Sequence, residues 1–262
     1  MTNQEYKLTD SFELQSQVRT GNSNSDTIRV IHKPIKSADS LVIVLHGYTM
    51  KKECLLYIGD FLNSIGISTA HIDLPLHGER AFDGAEHCYP RDVSPEKIKR
   101  GIEQIYSEVN QLSSLFRSRY HSIGLFGFSL GAISTMLCMG RGRQIDKGVA
   151  ICGGGNLADI ILTSPITWDL AQELRNQKVG YKTLRKALKQ VEPCNYADNT
   201  PQSSLLMING KFDNIVPPKN TQKFIDSLKK PQKIVWLDQE HYIPPLSEIA
   251  EGLKEHFNEW IK

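Results

Sequence analysis

SIGLFGFSLGAISTM, residues 122–136, changes character in mid-course. Its first seven residues are apolar or small, as in a strand buried on both faces, and those after Ser129 suit a helix. At the junction stands G-x-S-x-G, with Gly127 and Gly131 either side of the single hydroxyl of Ser129. A serine on such a strand-to-helix bend projects its hydroxyl above the sheet. The helix N-terminus beneath it offers N–H groups and a positive dipole end to a developing anion. A plain helix N-cap would also place a serine there. The motif therefore has to be weighed with the rest of the chain.

Outward from this bend the pattern alternates. On the N-terminal side, residues 12–19 and 27–35 have strand character, and TGNSNS between them reads as a hairpin turn. Residues 40–47 and 67–75 read as buried strands separated by a helix over 53–65. Residues 94–116 open on Ser-x-x-Lys and carry Ile98, Ile102, Ile105, Val109 and Leu112 at helical spacing. After the bend a helix runs to about residue 140, and strands follow at 148–154, 203–210 and 233–238, with helices near 219–230 and from 247. The order implies one α/β domain over residues 1–262. Its sheet would have about eight strands, mostly parallel after an antiparallel start, with helices on both faces. Residues 156–200 are too long for an ordinary crossover. They read as a small helical cap inserted over the sheet, whose Leu157, Ile160, Ile161, Ile166, Trp168 and Leu170 could line an apolar pocket or lid.

A serine nucleophile needs a base, and the base needs an orienting carboxylate. Asp213 falls just past the strand 203–210, and His241 just past the last strand, before the final helix. Both sit at strand C-terminal ends, where open α/β sheets place their chemistry. Asp159 is the reserve acid, and Glu240 is a poor one because it adjoins His241 in the chain. Either partner alone reads as a turn-former or a surface histidine; three residue types in one order and in the right slots point to catalysis. In HGYT, Gly47 is expected to turn the backbone sharply, so that the N–H groups of Tyr48 and Leu130 converge as an oxyanion site. His46 reads as a loop brace.

DLPLHGER, residues 73–80, lies near the same sheet edge. His77 is a candidate for substrate contact, and an Asp73–Arg80 or His–backbone bond is the bracing alternative. A metal site from His71, Asp73 and His77 lacks a further ligand motif, so neither metal nor other cofactor is expected.

Composition narrows the classes. Of the 262 residues 40% are hydrophobic and 23% charged, with a net charge of +2, which describes a globular chain without an electrostatic case for nucleic acid or anionic membrane. No apolar run is long enough to span a bilayer, and MTNQEYKLTDSFELQ lacks the basic-then-apolar order of a signal peptide. Five cysteines (54, 88, 138, 152 and 194) without CxxC spacing read as free thiols in a cytoplasmic protein. Oligomeric state is not legible.

HGYT, DLPLHGER, GFSLG, GKFDNIVPP and EHYIPP, in this order, resemble the α/β-hydrolase superfamily, from about residue 27 to the end. Within it the chain is most similar to small bacterial serine esterases related to dienelactone hydrolase and prolyl oligopeptidase catalytic domains. The resemblance implies an α/β-hydrolase fold, with Ser129 as nucleophile, Asp213 as acid, His241 as base and backbone donors at Tyr48 and Leu130. The small-molecule substrate would be a carboxylic ester or thioester. Dienelactone hydrolases carry cysteine where Ser129 stands, and no propeller sequence precedes the domain, which argues against either of those specific activities. An acyltransferase or thioesterase-like cyclase with the same triad is the alternative, and a non-catalytic binding protein of this fold is the other.

Overall fold

A computed structural model describes residues 11–81 and 93–261 of the chain; Cys88 and the first ten residues lie outside the described residues. The strands are β1 (Ser11–Gln15), β2 (Thr27–Lys33), β3 (Ser40–Leu45), β4 (Ser68–Ile72), β5 (Ser122–Phe128), β6 (Lys147–Ile151), β7 (Leu205–Gly210) and β8 (Lys233–Leu237). They form one sheet in the order β1-β2-β4-β3-β5-β6-β7-β8. The β1–β2 and β2–β4 pairs are antiparallel, and every pair from β4–β3 to β7–β8 is parallel. This is the sheet the alternation predicts, mostly parallel after an antiparallel start.

Continuous apolar strands are buried on both faces because successive side chains point to opposite sides. In β3, Leu41, Ile43 and Leu45 face one core while Val42 and Val44 face the other. The first core is covered by α2 (Pro95–Phe116), α3 (Leu130–Arg141) and α7 (Pro218–Ile225); the second by α1 (Leu56–Ser64) and α8 (Leu246–His256). Helix α2 starts where its sequence says, with Ser94 Oγ accepting from Lys97 N at 3.3 Å and Pro95 in the first turn.

β1 and β2 form the expected antiparallel hairpin, through a long loop over residues 16–26. Asp26 gathers that loop by accepting from Thr20 N and Oγ1, both at 2.7 Å, and from Gly21 N at 3.1 Å. Residues 156–200 are helical, with α4 (Leu157–Thr163), α5 (Trp168–Asn176) and α6 (Tyr181–Ala187), but they do not lie directly on the sheet. Their Leu157, Ile160, Ile161 and Leu170 pack with Ile98 and Ile102 of α2 and Ile133 and Leu137 of α3, forming a third layer outside those helices. The sheet face there was already taken by α2 and α3. Among the described residues, no helix is long and apolar enough to cross a membrane.

Candidate active site

The bend at residue 129 is tighter than ordinary L-residue geometry allows. Ser129 has φ 54 and ψ −112, its N–H is held by Ile151 O at 2.9 Å, and its own carbonyl accepts from Ile133 N at 2.9 Å. The flanking glycines are there for space. A Cβ on Gly127 would lie 2.2 Å from Gly131 O, and one on Gly131 would lie 2.2 Å from Leu45 O. The motif thus lets α3 start against β5 and β3 without side chains between them. The Ser129 side chain caps no helical N–H. It turns instead toward another strand end.

That end belongs to β8. His241 Nε2 lies 2.8 Å from Ser129 Oγ, and His241 Nδ1 lies 2.7 Å from Asp213 Oδ2. An ionised carboxylate only accepts, so Nδ1–H donates to Asp213 and Nε2 is left to accept from the serine hydroxyl. Asp213 is fixed by its own loop, its Oδ1 accepting from Ile215 N at 2.9 Å and Val216 N at 2.8 Å. The β7 and β8 exits are tied together by Lys211 N to Leu237 O at 2.9 Å and Phe212 N to Gln239 O at 3.0 Å. The imidazole rests on the Phe128 ring with centroids 5.1 Å apart, and Gln239 Nε2 holds Tyr242 O at 2.9 Å. Three residues far apart in sequence are therefore brought into one line.

Cys152 completes this neighbourhood, and sequence reasoning passed it over as a free thiol. It follows β6, between the strand ends that carry Ser129 and Asp213, and its ligand atom and those of Asp213 and His241 lie within 4.8 Å of one another. The thiol approaches Tyr242 O at 3.6 Å, and burial pushes its pKa up to about 12, so it stays neutral beside the carboxylate. A lone Cys directly before a run of Gly carries no sequence signal for this; the strand order does.

The other expected residues fall as follows. Asp159 does not reach His241: it binds Lys219 Nζ at 2.9 Å and Asn220 Nδ2 at 3.1 Å. Glu240 is exposed. Tyr48 and Leu130 follow β3 and β5, which are neighbours in the sheet. The left-handed residue of the HGYT turn is Thr49, with φ 63, and not Gly47; a Cβ on Gly47 would meet the Phe128 ring at 3.0 Å, so this glycine provides room.

His46 is a brace. Its Nδ1–H donates to Gly47 O at 2.7 Å and its Nε2 accepts from Leu74 N at 2.9 Å. Burial lowers its pKa to about 4, as it does for His77, whose Nδ1–H donates to Pro75 O at 2.8 Å. The Asp73 carboxylate pairs with Lys52, at 2.8 Å for both Nζ and the backbone N–H, while Arg80 Nη1 donates to the Asp73 backbone carbonyl at 2.9 Å, which is the bracing Asp–Arg bond of the loop. The fully buried Arg80 forms a fork with Glu108 of α2, at 2.7 and 2.6 Å, a partner that no local sequence signal marks. His71 points at α1, with Nε2 3.3 Å from Thr69 Oγ1.

A cavity of about 280 Å³ is lined by Pro75, Leu76, His77, Ile102, Ile105 and, next to Ser129 in the chain, Leu130, among others. His77 is one of its wall residues. Trp168 lines no cavity described and is 56% exposed, stacked against the Arg175 guanidinium at 5.4 Å.

Known proteins carry the same architecture. An esterase of Pyrococcus furiosus superposes with a TM-score of 0.61 at 17% identity, covering 96% of this chain and 92% of that one. Acetyl xylan esterase 1 of Thermoanaerobacterium sp. gives 0.70 at 16% identity, over 90% and 80% of the two chains. At these identities the likeness is one of fold. In sequence, the Bacillus subtilis protein named "Putative esterase YitV" is 28% identical over 225 residues, 78% of this chain and 83% of its own. The profile of the family described as serine hydrolase (FSH1) matches residues 86–253, which is more than half of the chain and takes in all three residues of the hydrogen-bonded line. The chain belongs to the serine hydrolase (FSH1) family.

Proposed function

We propose that this serine hydrolase cleaves carboxylic esters through an acyl-enzyme on Ser129. The observation that carries the reading is the line Ser129 Oγ to His241 Nε2 at 2.8 Å and His241 Nδ1 to Asp213 Oδ2 at 2.7 Å. Ser129 Oγ attacks the ester carbonyl while Nε2 takes its proton. The imidazolium formed is held by Asp213, and it returns the proton to the leaving alkoxide as the tetrahedral intermediate collapses. Water then attacks the acyl-serine with His241 again as base, releasing the acid and restoring the hydroxyl.

Negative charge on the carbonyl oxygen is met by backbone N–H groups of Leu130, at the start of α3, and Tyr48, in the turn after β3. The acyl or alcohol portion of a small ester occupies the cavity beside Leu130, between the 75–77 loop and α2. This puts substrate selection at the DLPLHGER loop instead of at residues 156–200.

A panel of p-nitrophenyl esters of increasing chain length, run beside acyl-CoA thioesters and with competing alcohols, tests the reading. Ester turnover with fluorophosphonate labelling of Ser129 supports it. Acyl transfer to the alcohols in preference to water, or labelling that survives Ser129→Ala, would overturn it.

A further inference from the structure

A second cavity, of about 470 Å³, shares no lining residue with the one at Leu130. Its wall carries Lys182, Arg185, Lys186, Lys189 and Lys223, against the single carboxylate of Glu192. We propose that this cavity is a binding site for a small molecule bearing a di- or triphosphate.

The cations are displayed deliberately by the packing. Residues 182, 185, 186 and 189 recur at helical i, i+3, i+4 and i+7, so they share one face of α6 and the turn that follows it. The opposite face is pinned by Leu184 and Leu188, both buried against α2, α3 and the inserted helices. Lys223 faces the same space from α7, a separate element. Like charges at i, i+4 weaken a helix by about 0.2–0.5 kcal/mol per pair, and both Lys182–Lys186 and Arg185–Lys189 are such pairs.

Several exposed lysines elsewhere on this molecule are paired. Lys33, Lys211, Lys219, Lys229 and Lys233 each meet a carboxylate. None of the five cations around the cavity is in an ion pair among the described residues. Glu192 offers little relief, because its carboxylate is spent on backbone: Oε1 accepts from Asn156 N at 2.8 Å and Cys194 N at 3.3 Å, and Oε2 from Leu157 N at 2.8 Å. Neutral donors complete the wall at Asn195 and Ser227. Clustered guanidinium and ammonium groups around a concavity of ligand size suit phosphoryl oxygens, which take several charge-assisted hydrogen bonds at once.

Calorimetric titration of the whole protein with inorganic pyrophosphate and with ATP tests the site, in low and in high salt. Both should bind, more weakly in high salt, and ATP alone binding would place the recognition on the nucleoside instead. The double variant Lys182→Gln/Lys186→Gln should weaken pyrophosphate binding by about a hundredfold or more, as the loss of two charged contacts. Lys51→Gln/Lys254→Gln, the same change of charge on exposed residues outside the cavity, should leave it unaltered. Arg185→Gln/Lys223→Gln repeats the test across two elements should the first pair unfold α6. No binding of pyrophosphate, or equal loss in the control pair, would overturn the proposal. So would cavity-dependent binding of an RNA oligonucleotide or an anionic vesicle in its absence. Because no catalytic residue is touched, failure here leaves the reading of Ser129 untouched, and failure of that reading leaves this one.

Discussion

Two polar clusters crown the C-terminal edge of the sheet, and they are built on opposite principles. Beyond β3 and β4, His46, Lys52, Asp73 and Arg80 spend their polar groups on one another and on backbone: Asp73 on Lys52, Arg80 on Glu108, and His46 on Gly47 and Leu74. Beyond β5, β7 and β8, Ser129, His241 and Asp213 form a line whose hydroxyl end, under the proposed function, changes partners during the reaction. A buried network with its bonds closed makes a scaffold; a line that ends on a hydroxyl suits proton transfer. Each contains a histidine and an aspartate near a glycine turn, so residue type alone does not separate them.

The first way to break this contrast is to remove the reactive end. Ser129→Ala and His241→Ala should each lower kcat by about 10⁶, since nucleophile and base act as a unit. Their circular dichroism should stay that of the parent, with a urea midpoint unchanged for Ser129→Ala and slightly lowered for His241→Ala, which gives up its contact with the Phe128 ring. Steady-state hydrolysis of a p-nitrophenyl ester with active-site titration checks both halves. Asp213→Asn should cost less, about 10⁴ in kcat, by presenting the wrong tautomer of His241. Asp159→Asn should leave kcat unchanged; the reverse ranking would mean that the acid is elsewhere.

The bracing cluster should answer in stability and not in chemistry. Glu108→Gln strands the fully buried Arg80 guanidinium and should cost about 3–5 kcal/mol, measured as a lowered urea midpoint, while the molecules that stay folded keep their kcat. The buried histidines give a pH signature. Burial holds His46, His71, His77 and His256 at pKa values of about 4, whereas in the unfolded chain they titrate near 6.5. Below about pH 6.5 the unfolded state therefore binds more protons, so these groups withdraw stability as pH falls toward about 4. A urea midpoint that does not drop across that window would mean that these rings are not buried in neutral form.

How much of this was legible in the sequence depends on whether local or long-range physics governs it. Strand and helix identity was readable from apolar runs and from Ser94-Pro95, since those signals lie within a few residues of what they specify. Ser129, Asp213 and His241 were readable because each ends a strand in chain order, so topology converts sequence position into proximity. Cys152 was not, because its place beside Asp213 comes from β6 lying between β5 and β7. Nor was the Arg80–Glu108 fork, since either Asp73 or Glu108 could have met that guanidinium, and the backbone path of the 73–80 loop decides. The inserted helices were recognised as helices, but their support was misplaced: α2 and α3 cover the sheet first.

That misplacement yields the smallest and most discriminating prediction. The inserted segment looked like the acyl pocket because Ile166 and Trp168 are more apolar than a surface crossover needs. In the fold those two are exposed, at 38% and 56%, while the cavity beside Leu130 is walled by Ile102 and Ile105 of α2. Ile102→Ala should therefore widen the cavity and shift preference toward longer acyl chains, by about 1–3 kcal/mol per methylene-sized mismatch in kcat/KM. Trp168→Ala should leave the ranking of esters unchanged and alter stability by no more than about 0.5 kcal/mol, as for an exposed side chain with one cation–π neighbour. The two variants, run through one ester panel, separate a substrate wall from a decorated surface. If Trp168→Ala changed the chain-length profile and Ile102→Ala did not, the inserted helices would have to close over the serine during turnover, and the cavity at the 75–77 loop would lose its claim on the substrate.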